Sequence, residues 1–146
     1  MIVYVDSSVL ARCYLPDEAG HDRARCLLGD LEIGLITGTW TRIEVSGALA
    51  RAARAGRGDE AGLLAALDTD LAADGPVTLV GAEQEPVEEL ALLLVRSHAI
   101  RAMDAWHLAT AKLVSDALAE TDEPVGFASR DDAQSAVASS MGFVLV

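Results

Sequence analysis

The sequence predicts an α/β fold, in which a mostly parallel sheet lies between two layers of helices. Segments of four to six mostly apolar residues alternate with longer segments of helical periodicity. Strands that are apolar throughout are typical of sheets buried on both faces, and parallel strands need helical crossovers between them. The result is a three-layer α/β/α sandwich. We expect one domain over residues 1–146, because no linker, repeat or low-complexity segment interrupts the pattern.

The first half of the chain alternates strand-like and helical segments, and its helices end at recognisable stop residues. Pro16 ends the first helix, because proline lacks the backbone amide and clashes with the preceding turn. Gly29 closes the second helix, and glycine also ends the alanine-rich third helix and the fourth. The predicted elements are a strand at 2–5, helices at 7–15 and 19–30, a strand at 32–38, and helices at 41–58 and 59–75.

The second half continues the alternation with three more short strands. The longest unbroken apolar stretch, at 90–95, lies within a predicted helix. It is far shorter than the ~20 residues that span a bilayer, so we expect no membrane segment. The predicted elements are a strand at 76–80, helices at 85–99 and 103–120, a strand at 124–129, a helix at 131–142 and a strand at 143–146.

Composition and charge limit the possible functions. Hydrophobic residues make up 51% of the chain, which predicts a globular fold, and no leader-like segment is present, so we expect a soluble cytoplasmic protein. In that compartment Cys13 and Cys26 are expected to stay reduced. The net charge of −12 argues against nucleic-acid binding by bulk electrostatics, because phosphate contacts need Lys and Arg. A chain with this charge can still bind nucleic acid if its basic residues are grouped, or if several of its carboxylates gather around cations.

Acidic residues recur where strands of the predicted sheet end. Asp6 directly follows the first strand, and Glu44 lies in the first turn of the helix after the second. Asp131 and Asp132 follow the fourth strand, and Asp104 opens the helix that begins "MDAWHLATA". Because ligands of open α/β sheets bind outside the carboxyl ends of the strands, these groups are candidates for a common site.

Each carboxylate also has a purely structural interpretation at a helix start. Asp6, Asp104 and Asp131 stand where caps are expected and where anions are favoured. "TRIE" fits a capping box, with Thr41 at the N-cap and Glu44 reaching back to it. Together, however, several carboxylates at one edge of a sheet repel one another unless protons or a divalent cation neutralise them. Mg²⁺ prefers such oxygen ligands, and the arrangement suits hydrolysis of a phosphodiester bond.

Four motifs together resemble the PIN domain, and more specifically the VapC-type toxins of bacterial toxin–antitoxin pairs. They are "VYVDSS" at 3–8, "TRIE" at 41–44, "RAMDAWHLATA" at 101–111 and "FASRD" at 127–131. The resemblance covers the whole chain and implies a Mg²⁺-dependent endoribonuclease, with Mn²⁺ as a possible substitute. It also implies a structured RNA substrate (transfer or ribosomal RNA), a cognate VapB-like antitoxin that neutralises the toxin, and a homodimer.

The resemblance assigns roles to the residues that match the motifs of the family. The fourth acidic position falls at Asp131 by the F-x-[ST]-x-D pattern, although Ser129 stands where threonine is usual, and Asp132 is the alternative. Ser8 matches a small hydroxyl position that hydrogen-bonds near the metal cluster, and donation to its local turn is the structural alternative. The implied catalytic metal ligands are Asp6, Glu44, Asp104 and Asp131.

Basic residues on the third helix decide whether RNA is a plausible substrate. Arg42 lies in the first turn of this helix, and Arg51, Arg54 and Arg57 recur every three residues near one face of it. Of these, Arg42, Arg51 and Arg54 are the candidate RNA contacts. A solvated helix face that pairs with nearby acidic residues is the alternative interpretation.

One histidine and two tryptophans also lie near the motifs. His107 is one turn beyond Asp104, and we expect it to be partly buried and bonded to a neighbour rather than to support a metal ligand. Trp40 and Trp106 are assigned to core or interface packing, with stacking on RNA bases as the alternative.

A catalytically silent module that keeps the fold and binds RNA or a partner protein is the main alternative function. The intact acidic set argues against it. Two other aspartate-centred classes fit poorly: a dehalogenase-like phosphatase needs a second aspartate where Ser8 stands, and a receiver domain needs a lysine after its last strands. The only lysine, Lys112, lies in the middle of a predicted helix.

Overall fold

The chain folds into five strands and seven α-helices, which a computed structural model describes from Met1 to Val146. The strands are β1 (Ile2–Val5), β2 (Gly34–Gly38), β3 (Val77–Val80), β4 (Val125–Ala128) and β5 (Val144–Leu145). The helices are α1 (Ser7–Leu10), α2 (His21–Leu28), α3 (Thr39–Arg54), α4 (Glu60–Asp70), α5 (Gln84–His98), α6 (Ala102–Leu118) and α7 (Asp132–Ser140). A 3₁₀ helix at Ala11–Tyr14 continues from α1.

All five strands are parallel and stand in the order β3-β2-β1-β4-β5, so the first strand is the centre of the sheet. Val3 and Val5 pack into a core with α1 to α4, whereas Tyr4 between them enters a second core with α5, α6 and α7. Burial on both faces is the reason that β1 carries no polar residue. The predicted three-layer α/β/α sandwich is confirmed.

The largest differences from the predicted elements are at helix ends. The helix expected at 7–15 is a single α-helical turn followed by the 3₁₀ helix. The helix expected at 59–75 ends at Asp70. The chain then folds back so closely that a Cβ atom on Gly75 would lie 2.4 Å from the carbonyl oxygen of Asp70. Gly75 is therefore the residue that permits the reversal and does not itself end the helix.

The predicted capping box at the start of the third helix is wrong. Helix α3 begins at Thr39 with Gly38 as its N-cap, three residues before the N-cap that the motif implied. A Cβ atom on Gly38 would lie 2.7 Å from the hydroxyl oxygen of Tyr4, so a glycine is required at this contact. Thr41 is buried, and its hydroxyl oxygen lies 2.7 Å from that of Thr37. Glu44 is thus free to point elsewhere.

Two expectations drawn from composition concern the cysteines and the membrane. Cys13 and Cys26 are both free, the first in the core and the second at the surface. Burial raises the pKa of the Cys13 thiol to about 11, so this thiol is protonated at neutral pH. None of the helices has the length and apolar character that a membrane span requires.

Candidate active site

Asp6 lies at the centre of the carboxyl edge of the sheet and serves two local functions. It is only 4% exposed, although it carries a carboxylate. Its Oδ2 accepts a hydrogen bond from the backbone N–H of Ser8 at 3.0 Å, which caps α1. Its Oδ1 faces inward, 3.5 Å from Nε2 of Gln134 and 3.7 Å from Nε2 of His107. The capping interpretation is correct, and one oxygen still faces the other polar groups of the site.

Glu44 and His107 form a close pair beside Asp6. Glu44 lies on the second turn of α3, and its Oε2 is 2.5 Å from Nε2 of His107 on α6. His107 is almost completely buried, and its Nδ1 lies 2.9 Å from the hydroxyl oxygen of Tyr4. That hydroxyl also accepts a hydrogen bond from the backbone N–H of Gly38 at 3.0 Å. His107 is bonded to a neighbour as expected, but it is almost completely rather than partly buried, and the neighbour is Glu44, one of the predicted ligands. The bond therefore connects Glu44 to the core.

Opposite charge determines the titration of this pair. Burial by itself lowers the pKa of His107 and raises that of Glu44, because it disfavours both charged forms. The hydrogen bond and charge attraction between them, together with the negative charge of Asp6 beside His107, outweigh burial, so the pKa of His107 lies above its usual value and that of Glu44 below its usual value. Both groups are more easily ionised here than in the unfolded chain.

The metal-free protein is expected to gain most stability from this pair between pH 4.5 and 6.5, the ordinary pKa values of the two groups. The contribution of His107 is complete below its unfolded pKa and is lost as the pH rises through its raised folded value. The contribution of Glu44 is complete above its unfolded pKa and is lost as the pH falls through its lowered folded value. Urea denaturation of wild type and His107→Gln across this range checks the prediction. A stability difference that does not change with pH contradicts it.

Asp104 and Asp131 form a second acidic group around Arg101. Nε of Arg101 donates to Asp104 Oδ2 at 2.8 Å, and its Nη2 donates to Asp131 Oδ2, also at 2.8 Å. Asp131 caps α7 through the backbone N–H of Gln134. Asp104, by contrast, lies within the first turn of α6, whose N-cap is Arg101, so it is not a cap. Asp132 is exposed and has no contact with Arg101.

Gln134 is a residue of the site that sequence reasoning missed. It is completely buried, and its Nε2 lies 3.5 Å from Asp6 Oδ1 and donates to the backbone carbonyl of Asp104 at 3.2 Å. Its Oε1 accepts a hydrogen bond from the hydroxyl of Ser129 at 2.5 Å. The D-x-x-Q spacing from Asp131 is a capping-box signal that marks this position. Gln134 therefore joins the elements that carry the acidic residues.

Ser8 stabilises the loop that follows β4. Its hydroxyl oxygen accepts a hydrogen bond from the backbone N–H of Arg130 at 3.1 Å. The contact joins the start of α1 to the residue before Asp131, across 122 positions of sequence. Ser8 thus positions an acidic loop of the site through a hydrogen bond next to Asp131, and this bond is not the predicted donation to its local turn.

The four carboxylates predicted as ligands are brought to one edge of the sheet, where cationic side chains accompany them. His107 lies beside Asp6 and Glu44, and Arg101 bridges the other two. As these side chains lie, no group of three or more His, Cys, Asp or Glu residues is arranged to hold a metal ion. The donor set nevertheless consists of carboxylate oxygens, the ligands that Mg²⁺ and Mn²⁺ prefer. The chemistry of the site therefore fits a divalent cation.

Four arginines surround a cleft of about 360 Å³ next to this acidic edge. Arg57 donates to both Asp17 and Glu18, and Arg130 donates to Glu18, so these two arginines are paired with acidic residues. Of the three arginines predicted to contact RNA, only Arg51 lines this cleft. Arg42 forms an ion pair with Asp68 on α4 instead. The four arginines of the cleft are Arg12, Arg51, Arg57 and Arg130.

Comparison with known families identifies the fold and the general chemistry. The family model described as "PIN domain" matches residues 3–133, about nine-tenths of the chain. No curated protein is similar enough to count as a match. PIN domains are generally nucleases, which agrees with carboxylates gathered at the ligand-binding edge of the sheet. The predicted resemblance to the PIN domain is thereby confirmed, and the chain belongs to the PIN domain family.

Proposed function

We propose that this PIN domain is a Mg²⁺-dependent endoribonuclease, able to use Mn²⁺, that hydrolyses phosphodiester bonds of structured RNA. The observation that carries the proposal is the position of Asp6, Glu44, Asp104 and Asp131. These residues come from four separated parts of the sequence and lie at the carboxyl edge of the sheet, and three of the carboxylates are hydrogen-bonded to a cationic or titratable partner. Groups that attract positive charge in this way are suited to hold a divalent cation.

The four carboxylates would hold the ion. Each is fixed by a local contact: Asp6 by the N–H of Ser8, Glu44 by His107, Asp104 by Arg101 and Asp131 by the N–H of Gln134. A Mg²⁺ ion held there would supply polarisation of the scissile phosphate and activation of a water molecule. The lowered pKa of Glu44 keeps its carboxylate ionised further into the acidic range, and His107 limits the directions in which that carboxylate can turn. A carboxylate that does not bind the ion directly would orient the attacking water. Arg101 has a side chain 75% exposed to solvent, so it can leave Asp104 and Asp131 without disturbing the core.

Basic residues are few in a chain with a net charge of −12, and four of its arginines line this one cleft. The arginine cleft is therefore the proposed site of the phosphate contacts. The Arg51→Glu substitution is expected to weaken RNA binding about tenfold and to lower the salt dependence by about one counterion, because a phosphate contact is lost. Arg54→Glu is the matched control, since it makes the same charge change on the same helix but lies outside the cleft. Salt titrations of RNA binding check both variants. An equal loss of RNA affinity in the two variants would show that the cleft is not the phosphate-binding site.

The biological role proposed for this activity is that of the toxin in a toxin–antitoxin pair. Support comes from the resemblance of the four motifs to VapC-type toxins, which extends the family assignment. On this proposal a VapB-like antitoxin binds the protein in the cytoplasm, and the protein forms a homodimer. Transfer or ribosomal RNA is the proposed substrate, and unpaired loops are the parts of such RNA that a protein reads most easily.

A cleavage assay with structured RNA tests the proposal. Wild type is expected to cleave with Mg²⁺ or Mn²⁺ and to stop when a chelator is added. Asp131→Asn is expected to lose activity, whereas Asp132→Asn, its exposed neighbour, is expected to retain it. Cleavage that persists in chelator would contradict the metal-dependent mechanism.

Calorimetric titration with the ion alone separates the nuclease from the catalytically silent module. A nuclease of this type is expected to bind Mn²⁺ at millimolar or lower concentration, and Asp6→Asn is expected to weaken that binding. If the protein neither binds Mn²⁺ nor cleaves RNA, that result would favour a silent module that binds RNA or protein.

A further inference from the structure

A cavity of about 350 Å³ opens beside the acidic edge, at the carboxyl ends of β2 and β3. Tyr4, Gly38 and His107 form part of its wall. His107 also contacts Glu44, so one side chain separates the cavity from the acidic residues. The cavity therefore adjoins the proposed reaction centre but includes none of its four carboxylates.

The two tryptophans of the chain both line this cavity. Their ring centroids are 6.4 Å apart and the ring planes cross at 70°, which makes an aromatic corner. Trp40 remains 45% exposed, so this large ring is not used up in the core. Exposed aromatic faces in clefts are the usual platforms on which unpaired bases stack. Packing alone, the predicted role of both residues, does not explain the exposure of Trp40.

Helix α3 aligns this corner with the rest of the site. Trp40, Glu44 and Arg51 are separated by four and seven residues, so they fall on one face of the helix. At 1.5 Å per residue, Trp40 lies about 6 Å before Glu44 along the axis, and Arg51 about 10 Å after it. An aromatic group, a carboxylate and a phosphate-binding arginine thus follow one another at a spacing that suits consecutive parts of one RNA strand.

The rim of the cavity carries polar groups that can distinguish bases. Gln84 and Glu88, one turn apart on α5, line it, and Nε2 of Gln84 donates to Oε1 of Glu88 at 2.6 Å. The second carboxylate oxygen of Glu88 and the amide oxygen of Gln84 remain as acceptors. Acceptors at this position favour a base with an exocyclic amino group, because carboxylates accept hydrogen bonds from such groups. They also repel phosphate, which orients the base inward and the backbone toward the arginine cleft.

We propose that this cavity is a nucleobase-binding pocket, which holds an unpaired, amino-bearing base next to the scissile phosphate and prefers guanine, adenine or cytosine to uracil. The proposal deepens the endoribonuclease assignment and rests on it for the meaning of the adjacent phosphate. Trp40 and Trp106 hold the base by stacking, and Glu88 with Gln84 selects it.

Intrinsic fluorescence reports on this pocket directly, because the chain has no tryptophan elsewhere. Wild type is titrated in chelator and low salt with 2′-O-methyl trinucleotides that differ only in the central base. We expect saturable quenching, with tighter binding when the central base carries an amino group.

Trp40→Leu, which keeps an apolar side chain but loses the stacking face, is expected to bind about tenfold more weakly. Glu88→Gln is expected to reduce the preference over uracil. Leu31→Ala serves as the control and is expected to bind as wild type does. Leu31 is an exposed apolar residue that precedes the amino end of β2, whereas the cavity lies at the carboxyl end of that strand.

Failure of this proposal and failure of the nuclease assignment give different results. Absence of quenching, or equal trinucleotide affinity for wild type and Trp40→Leu, overturns the pocket even if RNA is cleaved. Quenching with the expected base preference in a protein that cleaves nothing supports the pocket and rejects the nuclease. For Trp40→Leu, a circular-dichroism spectrum and thermal midpoint equal to those of wild type exclude misfolding as the cause of weaker binding.

Discussion

The Asp6→Asn variant is expected to lose RNA cleavage by about a hundredfold or more and to keep or gain stability. Asparagine caps a helix as well as aspartate does, so the hydrogen bond to the N–H of Ser8 is retained. The variant removes a buried negative charge that lies near three other carboxylates, and this relieves repulsion in the metal-free protein. Function and stability therefore respond in opposite directions at this residue.

Two further variants separate the cap from the chemistry. Asp6→Ala is expected to lose the same activity and, in addition, about 1 kcal/mol of unfolding free energy, because the cap is lost. Asp59 offers a matched control, since its carboxylate caps α4 through the N–H of Gly62 at 2.7 Å and lies at an exposed position. Asp59→Ala is expected to lose similar stability and no activity. Cleavage rates and urea denaturation of all variants check these expectations, and a fully active Asp6→Asn protein would refute the metal-ligand assignment.

The Tyr4→Phe variant is expected to lose about 1–3 kcal/mol of unfolding free energy. The hydroxyl of Tyr4 accepts from the N–H of Gly38 and contacts Nδ1 of His107, and all three residues are buried. Removal of the oxygen leaves an amide proton and a ring nitrogen without a partner, which costs more than the net value of an ordinary hydrogen bond. Burial raises the pKa of the Tyr4 phenol, so the group is neutral throughout the physiological range.

Tyr4→Phe is also expected to weaken Mn²⁺ binding, because His107 then holds Glu44 less firmly. Tyr14→Phe is the matched control: its hydroxyl donates to Asp70 Oδ2 at 3.0 Å, on the other face of the sheet. This control is expected to lose stability and to bind Mn²⁺ as wild type does. Chemical denaturation of the metal-free protein and calorimetry with Mn²⁺ measure the two effects. Unchanged Mn²⁺ affinity in Tyr4→Phe would limit the role of Tyr4 to folding.

Local sequence was sufficient to predict most of the secondary structure and the fold class. The apolar strands β1 and β4, the aspartates that follow them and the caps at Asp6 and Asp131 depend on neighbouring residues, and these predictions agree with the structure. The capping box at Thr41 also looked local, but it was wrong. There, the fit of Gly38 against the Tyr4 hydroxyl, a contact between residues on adjacent strands, determines where α3 begins.

The order of residues along the chain is enough to predict the layered α/β fold, the PIN domain family and the candidate acidic residues. The contacts that support those residues, by contrast, form only when the helices pack on the sheet. His107 bonds Glu44, and buried Gln134 approaches Asp6, although each pair is far apart in the chain. Likewise, Arg51 lines the cleft, whereas Arg42 on the same helix pairs with Asp68 on α4. Such contacts depend on how helices pack on the sheet, and spacing along one helix cannot specify which face meets a partner.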